Sequence, residues 1–136
     1  MKSTKDSRTG ISFVQFYLRL IGCITFGLGL LLLFWTDWAG ELLFNRVSLP
    51  AEFFIRITGS TLIGYSVLNM LASLHRNRHL QEFAVWGNLS TLMIASIITI
   101  GYYNRFDSLG WLLVTQHVFF GAGFIVCVLM LKRSDS

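Results

Sequence analysis

Charge is the scarcest ingredient of this chain. Only 13% of its 136 residues are Asp, Glu, Lys or Arg, while 54% are hydrophobic; soluble domains average roughly 25% charged. So few charges cannot keep so much apolar surface in water, which excludes an ordinary soluble globule and makes hydrocarbon the natural solvent. Proline occurs once, at Pro50, so long stretches run without the residue that breaks helices. The two cysteines, Cys23 and Cys127, lie in separate apolar runs. That excludes a CxxC redox pair and reads them as small buried hydrophobes. Carboxylates are missing from the middle of every apolar run: Asp6, Asp37, Glu41, Glu52, Glu82, Asp107 and Asp135 sit in tails, loops or run ends. Proton-coupled export through a membrane-embedded acid therefore has little support. Glycine-rich phosphate loops, nucleophile elbows and zinc-protease motifs are also missing. The sequence leans away from an enzyme and implies no cofactor and no metal.

What is there is long apolar runs. A membrane helix needs about 20 such residues, and four stretches qualify, about 13–35, 51–73, 83–103 and 109–131. The expected fold is an all-α integral membrane four-helix bundle, up-down-up-down, forming a single domain over residues 1–136. The net charge of +4 comes from basic residues beside these runs, which points to a lipid bilayer and not to nucleic acid. Lys2, Lys5, Arg8, Arg76, Arg78, Lys132 and Arg133 fall on one side, Arg46 and Arg105 on the other. The positive-inside rule then places both termini in the cytoplasm, in a multi-pass protein of the plasma (bacterial inner) membrane. Trp35, Trp38, Tyr102, Tyr103 and Trp111 form an aromatic belt on the outer side. The first run is too long for a secretory signal core and lacks a small-residue cleavage site, so it reads as an uncleaved span. Between the first two spans, residues 36–49 read as a surface loop or as an interfacial turn around Leu42, Leu43 and Phe44.

Two spans carry a permanent cation. YLRLIGCITFG (17–27) and FIRITGSTLIG (54–64) align Arg19, Gly22 and Gly27 with Arg56, Gly59 and Gly64. Residues three, four, seven and eight apart lie on one side of a helix, so each arginine shares a side with small residues. Small residues let membrane helices approach closely, and both arginines are expected to face the bundle or a helix contact. They serve as structural anchors or as ligand-facing groups. Glu52 stands four residues before Arg56, the favourable order for a helical ion pair.

Polar stripes mark the second and third spans. Thr58, Thr61, Tyr65, Asn69 and Ala72 share one side of the second, opposite Arg56; Asn88, Thr91, Ala95, Thr99 and Tyr102 share one side of the third. They are expected to hydrogen-bond across the bundle or to line a polar cavity. The fourth span adds Gln116 and His117. Arg56, Tyr102, Gln116 and His117 are the candidates for an outer-leaflet pocket, since ionisable groups inside a membrane point to function. Haem is disfavoured, because His117 lies in the outer half whereas His75 and His79 lie at the cytoplasmic end. The HRNRH stretch reads as a basic loop meeting anionic headgroups.

The repeated motif, an arginine followed by two glycines five apart, resembles the small four-helix membrane proteins grouped as DoxX-like. The resemblance covers mainly the first two spans. It implies a compact bundle and a partner protein, some members being accessory subunits of quinone-linked redox systems, and carries no catalytic residue onto this chain. The leading expectation is an accessory or binding protein engaging another membrane protein, a second copy as a homo-oligomer, or a lipid-like ligand. A small oligomeric channel or carrier, and a quinone- or lipid-linked redox subunit, stand as alternatives.

Overall fold

The computed structural model describes residues 4–44, 49–75, 77–101 and 108–133. They form five helices in the order α1 (Thr4–Phe34), α2 (Thr36–Phe44), α3 (Leu49–Leu74), α4 (Arg78–Gly101) and α5 (Ser108–Arg133). No strand occurs among the described residues. Three stretches among them are long and apolar enough to cross a membrane: Phe13–Phe34, Glu52–Leu74 and Thr115–Arg133. α4 covers the third expected span as far as Gly101.

Local chemistry sets the helix ends. Pro50 occupies the second position of α3, where no N–H is required. Asn77 caps α4: its Oδ1 accepts from the Leu80 N–H at 3.3 Å, relieving one of the unpaired donors of the first turn. The chain bends at Trp35 between α1 and α2. There the Thr36 hydroxyl donates to the Leu32 carbonyl at 2.7 Å, and Thr36 is buried. Thr36–Phe44 is thus a helix where a loop or a single turn was expected, and residues 45–48 lie outside the described residues. Apolar residues already continue from Leu31 through Trp35 and resume at Leu42, so a brief bend is enough to turn a second helix.

The most extensive packing joins α1 and α3, and glycine makes it possible. A Cβ on Gly29 would stand 2.8 Å from the Gly59 carbonyl oxygen, and one on Gly59 would stand 2.8 Å from that of Gly29. The two backbones therefore touch. One heptad earlier on α1, a Cβ on Gly22 would meet the Ser66 carbonyl at 3.3 Å, one heptad later on α3. Seven-residue steps running in opposite directions define an antiparallel seam of the coiled-coil kind. Ser73 continues it on α3, fully buried.

α5 completes the core. Tyr17 of α1 donates to the Phe120 carbonyl at 2.9 Å and sets its ring edge-on to Phe124 at 5.1 Å between centroids. Gly123 leaves room for that ring; a Cβ there would collide with it. Val14, Leu18, Ile21, Ala72, Ala84, Val85, Phe124, Cys127 and Leu131 make a continuous buried cluster. It lies toward the α3–α4 turn and the C-terminal end of α5. Arg78 ties that end together: it pairs with Glu82 at 2.8 Å and donates to the Leu131 carbonyl in the last turn of α5 at 2.7 Å. Outside, large apolar side chains are exposed on all four long helices, Phe16, Phe54, Ile97 and Phe119 among them. Such an exterior suits hydrocarbon. Cys23 is exposed and only Cys127 is buried, both as free thiols, so the expectation of two buried cysteines holds for one.

Candidate functional site: a polar seam between α3 and α4

Asn69 and Asn88 meet in the interior. Asn69 Nδ2 donates to Asn88 Oδ1 at 3.2 Å, and Asn88 Nδ2 returns a bond to Asn69 Oδ1 at 2.6 Å. The second proton of Asn88 Nδ2 goes to the Ala84 carbonyl at 2.6 Å. Both side chains are buried. Reciprocal amides of this kind contribute about 0.6–2 kcal/mol between membrane helices. They also fix the register, because a slip of one residue would leave two amides unpaired.

One turn further along, Tyr65 and Thr91 bond at 2.8 Å. The Thr91 hydroxyl spends its proton on the Gly87 carbonyl at 2.9 Å, so Tyr65 is the donor. At the other end of the seam, Gln81 is buried and donates to the His75 carbonyl at 2.9 Å. Among the described residues two buried oxygens, Ser66 Oγ and Gln81 Oε1, have no hydrogen-bond partner. Ser66 lies in the α1–α3 seam and Gln81 at the start of α4, beside the α3–α4 turn.

The other candidates fall as follows. Gly22 and Gly59 lie in the α1–α3 seam, but Gly27 and Gly64 do not: a Cβ on either meets nothing within 4 Å. The expectation that each glycine pair shares a contact is corrected by helix geometry, since five residues turn a helix through about 140° of net rotation. Arg19 and Arg56 are exposed, which corrects the expectation that they look into the bundle. Arg56 bonds Glu52 at 2.8 and 3.1 Å as a surface pair on the side of α3 away from α4. Gln116 and His117 are partly buried on α5. His117 lies one and two heptads before the buried Phe124 and Leu131, on the inward side of α5. Tyr102 and the side chain of Thr99 lie outside the described residues. Among the described residues no three His, Cys, Asp or Glu side chains converge into a metal-ion group.

Sequence reasoning missed Gly29, Ser66, Gln81 and the fit of Tyr17 over Gly123. For the seam a signal existed: Gly22 and Gly29, like Gly59, Ser66 and Ser73, are spaced by seven, and that spacing keeps small residues on one line. No family model, curated protein or solved structure matches the chain.

Proposed function

We propose that this protein is a four-span bundle of the plasma (bacterial inner) membrane, both termini cytoplasmic, that acts as an accessory or binding protein for another membrane protein. The observation that carries this reading is the inward chemistry. Asn69 and Asn88 meet inside the bundle, and Tyr65 and Thr91 at its edge, as amides and hydroxyls bonded to one another. Such groups hold membrane helices together. The apolar exterior then provides the surface that lipid and a partner share. The DoxX-like resemblance of the first two spans agrees with this reading, since it too implies a compact bundle with a partner.

Native mass spectrometry after gentle extraction tests it. The expected spectrum carries a stoichiometric protein partner. A lone chain without a companion, giving ion currents in planar bilayers, would replace the reading with a channel.

A further inference from the structure

α3 and α4 do not pack along their whole length. Their facing residues follow a regular antiparallel register, Ala72 beside Ala84, Asn69 beside Asn88 and Tyr65 beside Thr91. The first two pairs are buried. Thr91 is exposed and Tyr65 only partly buried. Continued by one more heptad, the register would set Thr58 against Ile98, with Thr61 alongside. Instead Thr58 and Thr61 are exposed and Ile98 is 56% exposed. Burial is therefore lost step by step from the α3–α4 turn toward the opposite end, and the two helices part beyond the Tyr65–Thr91 bond. The result is a wedge-shaped cleft with that bond as its floor.

The walls of the cleft have a defined hydrogen-bonding sense. The Thr58 hydroxyl donates to the Phe54 carbonyl and the Thr61 hydroxyl to the Ile57 carbonyl, each at 2.9 Å. Tyr65 donates to Thr91. Each of these protons is committed, and what these described residues turn to the cleft is oxygen with lone pairs to spare. The fitting occupant brings donors.

Depth decides which donor. At about 1.5 Å per residue, Thr61 lies roughly 13 Å and Tyr65 roughly 20 Å along α3 from Glu52, in a bilayer whose apolar core is about 30 Å thick. Lipid supplies only acyl chain there. A donor at that depth comes from the side chain of another transmembrane helix. The geometry points to the α3–α4 cleft as the docking surface for a partner's transmembrane helix that carries a mid-membrane hydrogen-bond donor such as Asn, Gln or Trp. This rests on the four-span reading above, whose topology a C-terminal reporter tests separately.

The full chain, with the exposed thiol removed by Cys23→Ser and labelled with a fluorophore at Ile98→Cys in lipid nanodiscs, is titrated with a poly-leucine transmembrane peptide bearing one central asparagine, and with its all-leucine twin. The asparagine peptide should bind about three- to ten-fold more tightly, as one or two interhelical hydrogen bonds allow. Thr58→Val with Thr61→Val should erase that preference while the melting temperature stays unchanged. Equal binding of the two peptides, or an undiminished preference in the double variant, would overturn the proposal. Energy transfer between two labelled copies without peptide, lost in the double variant, would overturn it in favour of a second copy. Quenching of the position-98 label by brominated lipid, undiminished when the asparagine peptide is added, would overturn it in favour of lipid.

Discussion

At the scale of single residues, two glycine pairs that look alike in the sequence should behave oppositely. Gly29→Ala and Gly59→Ala each place a methyl 2.8 Å from a backbone carbonyl of the facing helix. Neither backbone can yield alone, so we predict a loss of about 1–3 kcal/mol, the usual cost of overpacking. Gly27→Ala and Gly64→Ala enter open space; they should be neutral or raise stability by up to about 1 kcal/mol through helix propensity. Unfolding of the four variants by steric trapping in bicelles decides between seam and surface. The buried amides give a second test. Asn88→Leu leaves Asn69 buried without its partner and should cost about 1–3 kcal/mol, whereas Asn69→Leu combined with Asn88→Leu should recover part of that loss. Additive losses in this double-mutant cycle would show that the pair does not act as a unit. Arg56→Ala removes only an exposed pair with Glu52 and should change stability by less than about 1 kcal/mol, measured by the same unfolding assay.

Between residue and bundle stand the elements and the links that join them. Arg78 joins two of these: it starts α4, pairs with Glu82 in that helix and reaches the end of α5. Lysine keeps the charge but lacks the planar fork that serves two acceptors at once. Arg78→Lys should therefore speed amide exchange in the last turn of α5, with α1 and α3 unaffected; unchanged exchange would deny the clamp. The elements also show what could be read in advance and what could not. The polar stripes were legible because Tyr65, Asn69, Asn88 and Thr91 are conspicuous among apolar neighbours and obey helical spacing. The long apolar runs were legible for the same reason, as contrast against charged ends. The α1–α3 register was hidden because glycine is common in membrane helices, and the arginines drew the eye to Gly27 and Gly64 while the contact runs through Gly29 and Ser66. α2 was hidden because its few residues are compatible with loop or helix until Thr36 and Ala39 are seen buried.

For the whole molecule, the proposed topology makes a prediction independent of any contact. A reporter fused after Ser136 should read cytoplasmic, since basic residues cluster on that side; an external signal would invert the bundle and move the cleft to the inner leaflet. The unequal seams divide the molecule further. α1 and α3 are bound backbone to backbone, while α4 and α5 join through side chains and a carbonyl clamp. A nascent chain emerges N-terminus first, so the glycine-matched hairpin can form while the remaining half is still inside the ribosome. A polypeptide released early, after Leu74, should therefore persist in the bilayer as a paired helical hairpin and accept the missing segments when they are supplied as a separate fragment.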